Sequence, residues 1–401
     1  MRILYHHRIG SKDGQAVHLE ELVDALRQRG AEVLVAGPES FARASFGHDP
    51  KLISTLKVLV PQPLYEILEL VYNVPAYLRL RRAWKNFRPH IIYERYNLYL
   101  LAGIWLRRRH GVPLLLEVNA PLAAERAIHG GLGLRKLAWA LERWVWRNAD
   151  FVLPVTHVLA EHVRAAGVAP EKIVVVSNAI NPLRFSISSN GSDLLKQKLG
   201  LTGKTILGFT GFVRDWHGLD RVVDWLARPE LRSLHLVIVG EGPAVSELKA
   251  QAARLNISDR VLFAGLVDRD AVGQFVSMFD VALQPKCVDY CSPLKLFEYM
   301  ALGKAIVAPD QANIREVLEA GTSALLFDPN LPETLITVVS RLAEDSALRQ
   351  SLGSAAHKAI ARKGYTWTHN AQTIEGLAQR ALLLSGRKPA SGLSPHIHET
   401  V

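Results

Sequence analysis

Cysteine is almost missing from this chain of 401 residues, which carries only Cys287 and Cys291. Two cysteines cannot build a disulfide framework, and with no further Cys or His at ligand spacing nearby they make a poor zinc site. Long apolar runs are missing too. No stretch of about 18 residues is free of charge, so no membrane-spanning helix is expected. The run Met1-Arg2-Ile3-Leu4-Tyr5 enters a strand-like pattern without the charged region, apolar core and cleavage site of an export signal. The expected location is therefore cytoplasmic, either soluble or peripheral at the inner face of a membrane. Neither a G-x-G-x-x-G fingerprint nor a Walker A sequence is present, which removes most support for dinucleotide oxidoreductases and P-loop enzymes.

What is present is a chain with 49% hydrophobic residues, enough to bury substantial cores and long enough for two domains. Lys plus Arg number 48 against 38 Asp plus Glu, an excess of 10 that favours, in a general way, anionic partners such as phosphates, acidic lipids or nucleic acid. No feature points to specific nucleic-acid binding. The basic residues cluster with aromatics and leucines in Leu78-Arg79-Leu80-Arg81-Arg82-Ala83-Trp84-Lys85, in Leu106-Arg107-Arg108-Arg109, and over residues 134–147 with Trp139, Trp144 and Trp146. Such helices suit an anionic headgroup surface. They are equally consistent with ordinary helices whose Arg and Lys face water.

Strand-like and helix-like runs alternate, the pattern of a mostly parallel sheet covered on both faces. Strands are expected at 2–5, 32–36, 91–93, 114–118, 151–155 and 173–176, with a helix over 17–29 that Gly30 ends. A polar stretch at 186–192 reads as a linker. The pattern then restarts with strands at 206–210, 235–239, 261–264, 281–284 and 305–308. From Gln350 the chain reads as helical to about Leu384, and the polar tail beyond it as disordered. Two doubly wound halves place a cleft between them, where ligands bind at the carboxyl ends of the strands.

The segment Ser292-Pro293-Leu294-Lys295-Leu296-Phe297-Glu298 reads as a helix start, with Ser292 as N-cap, Pro293 in the first position and Gly303 as the stop. Its free N–H groups follow a strand, where a diphosphate can bind. Lys295 and Glu298, three apart, can reach one ligand, and can equally form a surface ion pair. In the loop after strand 206–210, Gly211 lets a ligand approach the backbone, Arg214 offers a planar fork for phosphate oxygens, and His217 adds charge when protonated. The loop from Arg8 to Gln15 places glycines before the first helix of the other half.

In order and spacing these segments resemble glycosyltransferase family 4, the retaining GT-B enzymes, from Met1 to about Leu384. Ser177-Asn178-Ala179-Ile180-Asn181, ending in Phe185, looks like the family's xNGVDxxxF crossover. Ile238-Val239-Gly240-Glu241-Gly242-Pro243 looks like its VGDGP turn, and Phe263-Ala264-Gly265 like its FxG strand end. Glu298 with Tyr299-Met300-Ala301-Leu302-Gly303-Lys304 matches the second half of its donor-site signature; Tyr290 stands where the first glutamate is usual.

The resemblance implies two Rossmann-like domains, residues 1–185 and 193–367, with 368–385 returning to the first and 386–401 as a tail. It implies a nucleotide-diphosphate sugar as donor, no metal or other cofactor, and a glycan, lipid-linked or small-molecule acceptor. Arg214, Lys295 and Asn119 would be catalytic. Gly14, Gly211, His217, Ser292, Leu294 and Glu298 would hold the donor, with Glu298 on the ribose hydroxyls. His217 replaces the family's lysine, so donor affinity is expected to weaken as pH rises from about 6 to 8. The insert from Lys51 to Lys85 suggests an acceptor at a membrane face. The rivals are a nucleotide-sugar epimerase or glycoside phosphorylase on the same fold, and a non-catalytic binding or scaffold protein.

Overall fold

The computed structural model describes residues 1–10, 14–38, 60–185 and 189–386. The chain first forms β1 (Arg2–His6), α1 (Gly14–Gln28), β2 (Glu32–Ala36), α2 (Gln62–Val71), α3 (Asn73–Phe87), β3 (Ile91–Arg95) and α4 (Ala102–His110). There follow β4 (Leu114–Val118), α5 (Leu122–His129), α6 (Arg135–Asn148), β5 (Phe151–Pro154) and α7 (His157–Ala165). The second half contains α8 (Ser189–Lys198), β6 (Thr205–Thr210), α9 (Leu219–Leu226), β7 (Leu234–Val239), α10 (Val245–Arg254), β8 (Val261–Gly265), α11 (Arg269–Ser277) and β9 (Val281–Leu283). It continues with α12 (Leu294–Ala301), β10 (Ala305–Pro309), α13 (Ala312–Val317), β11 (Leu325–Phe327), α14 (Glu333–Glu344), α15 (Ser346–Lys363) and α16 (Trp367–Leu384).

Two parallel sheets result, ordered β2-β1-β3-β4-β5 and β11-β10-β9-β6-β7-β8. Helices cover both faces, so β3, β4 and β10 are buried along their whole length, as parallel strands of this class must be. In each sheet the strand order reverses once, between β1 and β3 in the first and between β6 and β9 in the second. Loops at the carboxyl side of such a reversal diverge and leave a crevice. The last helix belongs to the first domain. Trp367, Ile374, Leu377, Ala378 and Leu382 of α16 share one core with Ile3, Tyr5, Leu19 and Leu22, and Arg29 pairs with Glu375 at 2.9 Å.

Four local expectations change. Residues 173–176 form no strand: Ile173 makes one bridge to Val152, and the N–H groups of Val174 and Val176 donate to Val152 and Pro154 carbonyls at 3.0 Å. The segment lies along β5 without a ladder of its own. The helical stretch after Gln350 is two helices, because Gly364 adopts φ 68° and Thr366 caps α16 by accepting from the His369 N–H. The expected linker gives way to α8 from Ser189 onward; residues 186–188 lie outside the described residues, as do 51–59 of the insert and 387–401 of the tail. The fourth is β11, which went unread.

Close backbone contact seats α15 on α12. A Cβ on Gly353 would stand 1.9 Å from the Gly303 carbonyl oxygen, so only glycine fits there. Gly353→Ala is expected to destabilise the protein by about 1–3 kcal/mol through overpacking, measured as a lower urea midpoint. An unchanged midpoint would show that the two helices have room to part.

Candidate functional site

At the reversal of the second sheet, β6 is followed by Gly211, whose φ of 129° favours glycine. Backbone contacts hold the loop that follows. Gly211 N–H donates to Val239 O at 3.0 Å and Val213 N–H to Glu241 O at 2.9 Å. A Cβ on Gly240 would lie 2.1 Å from Gly211 O, and one on Gly242 would lie 2.1 Å from Val213 O. The two glycines of the Val239-Gly240-Glu241-Gly242 turn thus allow one loop to lie directly on another. Arg214 emerges from this platform with its guanidinium 4.6 Å from the Phe212 ring and 4.8 Å from the Trp216 ring. No carboxylate among the described residues forms an ion pair with it.

Lys295 sits on the first turn of α12, its Nζ 3.7 Å from the centroid of Phe209. A Cβ on Gly211 would come within 3.4 Å of that nitrogen, so the glycine leaves room beside the ammonium. Burial pushes Lys295 down to about 7, against the opposing pull of Glu298. Glu298 lies one turn further along, where burial pushes its carboxyl up although Lys295 and the Thr210 hydroxyl favour its charge. Thr210 Oγ1 donates to Glu298 at 3.4 Å, and the Thr210 N–H donates to Tyr299 Oη at 3.0 Å.

Two expectations at this site are corrected. His217 is not a part-time cation near neutral pH. Its Nδ1 accepts from the Arg214 N–H at 3.2 Å, and burial, with Lys295 and Arg214 nearby, pushes it down to about 3. Ser292 is not the N-cap of α12: Pro293 holds that position and gives no side-chain cap bond. The Ser292 hydroxyl and carbonyl instead accept from Asn178, at 3.3 Å from its N–H and 2.6 Å from its Nδ2. The Leu296 N–H donates to the Pro293 carbonyl at 3.1 Å, which leaves the N–H groups of Leu294 and Lys295 as the donors with no acceptor inside the helix.

Residues of the first domain meet this start of α12. A Cβ on Gly14, at the beginning of α1, would touch Leu294 at 3.7 Å. Asn119, past the end of β4, donates to Glu117 at 2.6 Å. Glu117 is buried and also accepts from Tyr93 at 2.7 Å, from His18 Nε2 at 2.9 Å and from Arg95. Burial alone would raise its pKa, yet His18 and Arg95 hold the carboxyl well below the usual range. The other ring nitrogen of His18 lies 2.8 Å from Asn178 Oδ1. A continuous chain therefore runs from Asn119 through Glu117, His18 and Asn178 to Ser292.

Tyr290 is engaged by the first domain. Its hydroxyl donates to Glu125 at 2.6 Å, its carbonyl accepts from Thr156 at 2.9 Å, and its ring packs on the core of the first domain. His18, Glu117, Glu125 and Arg95 were missed in the sequence. Asn178 was visible as part of a motif, without a role.

Comparisons with known proteins bear on the family and the fold. The model of the glycosyl transferase 4-like domain matches residues 13–179, and that of glycosyl transferases group 1 matches residues 192–359. A 2-deoxystreptamine glucosyltransferase of Streptomyces kanamyceticus is 26% identical over 67% of this chain and 71% of its own. A GDP-mannose-dependent alpha-mannosyltransferase of Mycobacterium tuberculosis is 24% identical over 88% of this chain and 89% of its own. Among solved structures, Anabaena HepE in complex with UDP superposes with a TM-score of 0.74 at 20% identity, covering 96% of this chain and 100% of that one. The two sheets, their reversals and the two matched models lead to one conclusion: the chain belongs to the group 1 glycosyltransferases and has the GT-B fold, with a 4-like N-terminal domain.

Proposed function

We propose that the protein moves a sugar from a nucleotide-diphosphate sugar to a hydroxyl of a glycan or lipid-linked acceptor, with retention of configuration and without a metal ion, in the synthesis of a cell-surface glycoconjugate. The observation that carries this reading is the pair of cations, Arg214 and Lys295, without ion-pair partners among the described residues, beside the N-terminus of α12. The relatives' names support a sugar nucleotide as donor: one is GDP-mannose-dependent, and HepE was solved with UDP.

In this reading the donor diphosphate lies against Arg214, Lys295 and the first turn of α12. These groups stabilise negative charge as it develops on the departing phosphate, where fixed dipoles and cations act most strongly. Glu298 accepts from the ribose hydroxyls. Gly14 and Gly211 let backbone approach the donor, and Leu294 and the Ser292 segment position the helix start. Asn119, fixed by Glu117, faces the reacting sugar from the other domain. The departing phosphate takes the acceptor's proton as the acceptor oxygen bonds to the anomeric carbon on the face the phosphate leaves. That geometry retains configuration and needs no carboxylate pair. Tyr290 uses its hydroxyl on Glu125, so contact with the donor sugar falls to Lys295 and the backbone before α12. No helix of the described residues is long and apolar enough to cross a membrane, and the protein works at the inner membrane face as a peripheral enzyme.

Two measurements follow from this reading. With a sugar-nucleotide donor and a competent acceptor, proton NMR of the product should show the donor's anomeric configuration. Glu298→Ala should weaken donor binding by about ten- to a hundred-fold through lost hydrogen bonds. An inverted product, or donor consumption that yields no glycoside, contradicts the proposal.

Donor affinity should also depend on pH through Lys295 rather than His217. Burial pushes Lys295 down to about 7, so affinity for the anionic donor should fall as pH rises, by about ten-fold between pH 6 and 8 if only the charged form binds. Lys295→Arg should flatten the profile and His217→Gln should leave it. A flat wild-type profile, or one abolished by His217→Gln, would assign the charge elsewhere.

A further inference from the structure

Helix α2 is built inside out. An amphipathic helix on a soluble protein turns its apolar stripe inward and its charges to water. In α2 the buried residues are Glu66 and Glu69, at 0% and 5% exposure. Leu64, Ile67, Leu68 and Val71, spaced as one helical stripe, are between 45% and 56% exposed. The inward carboxylates are well satisfied. Glu66 accepts from the Tyr99 hydroxyl at 2.6 Å and the Leu134 N–H at 2.8 Å, while Glu69 accepts from Arg126 at 2.6 and 3.0 Å and lies 3.3 Å from Arg8. The helix is therefore anchored with its apolar side outward.

The stripe continues on α3, where Val74 and Leu78 are 56% and 47% exposed. Further along the same face of α3 it gives way to exposed Arg81, Arg82 and Lys85. Alongside, on α4, Trp105 meets Tyr77 edge-on at 6.3 Å, and Arg108 and Arg109 are exposed. Apart from Glu66 and Glu69, helices α2, α3 and α4 contain no carboxylate. An apolar stripe bordered by an aromatic residue and uncompensated arginines complements an anionic lipid surface, with acyl chains against the stripe and headgroups against the basic rim. A second copy of the chain fits less well, since a symmetric contact would set like-charged rims beside each other.

We infer that α2 and the adjoining face of α3 dock on an anionic bilayer, leucines inserted, and that this docking presents a membrane-borne acceptor to the cleft. The second clause rests on the proposed function; the first does not. The geometry connects them: Arg126, which holds Glu69 of α2, is next in sequence to Glu125, which accepts from Tyr290 of the other domain. The docking helix is thus tied to the segment that meets the second domain.

The test is flotation of the full chain with vesicles of phosphatidylcholine alone and with about one third phosphatidylglycerol, for wild type, Leu64→Gln/Leu68→Gln and Arg81→Gln/Arg82→Gln. Melting temperature, oligomeric state and nucleoside-diphosphate binding are followed on the same samples. The wild type should bind the anionic vesicles. The leucine variant should bind at least about ten-fold more weakly, and the arginine variant should lose the preference for anionic lipid. Nucleotide binding and melting temperature should not change. Absence of wild-type binding, or binding indifferent to the leucines, overturns the inference. A dimer dissolved by the leucine substitutions, without vesicle binding, assigns the stripe to a second copy. A lower melting temperature with unaltered flotation assigns it to a segment of this chain outside the described residues. Vesicle binding without nucleotide binding would leave the docking intact and remove the proposed transfer.

Discussion

A carboxylate buried at the carboxyl end of the first sheet sets the terms for the rest of the molecule. Glu117 cannot lie there as an unpaired charge, because removing one partner from such a group costs about 3–5 kcal/mol. Arg95, Tyr93, His18 and Asn119 all donate to it. Holding it commits one nitrogen of His18, and the other meets the amide oxygen of Asn178. The amide nitrogen of Asn178 is bound to the Ser292 carbonyl, which fixes the orientation of the amide. The position of α12 relative to the first sheet is therefore a consequence of satisfying one buried charge. Other links reinforce it on the flanks: Arg269 and Arg184 converge on Glu21, and Glu316 accepts from the first N–H groups of α7.

The second domain works by the opposite device. There, among the described residues, Arg214 has no carboxylate partner and is held by ring faces, while Lys295 is depressed by burial against the pull of Glu298, with Gly211 leaving room beside it. Such groups are costly in the empty protein and favourable once an anion arrives. Glycines whose Cβ atoms would collide with neighbouring backbone make the platform, so its shape depends on absent atoms as much as on present ones.

The sequence carried the architecture well because parallel strands buried on both faces are continuous apolar runs, and ten of the strands announced themselves that way. β11 is a run of only three apolar residues, Leu325-Leu326-Phe327, too short to stand out from the turns on either side. Residues 173–176 have the composition of a strand but only one bridge, since pairing depends on a neighbour that composition does not report. At the candidate site, Lys295, Glu298, Arg214 and the glycines could be picked out because helix starts and glycine turns are local. Ser292 was misread for the same reason: a Ser before Pro looks like a cap whether or not its hydroxyl is taken by a residue 114 positions away. The Tyr290 to Glu125 bond spans 165 positions, and the charge state of His217 depends on burial. Neither has a local signal. The inverted polarity of α2 is likewise invisible, because its stripe has the ordinary spacing and only the fold shows which side faces in.

On the proposed function, Arg214, Lys295 and Glu298 form a site for a nucleoside diphosphate at the strand reversal of the second sheet. Calorimetric titration with uridine, guanosine and adenosine diphosphates, without added metal, tests it most directly when wild type is compared with Lys295→Ala. The account requires one nucleotide to bind the wild type and to bind the variant far more weakly. Failure of all three to bind, or equal binding to both proteins, would contradict it.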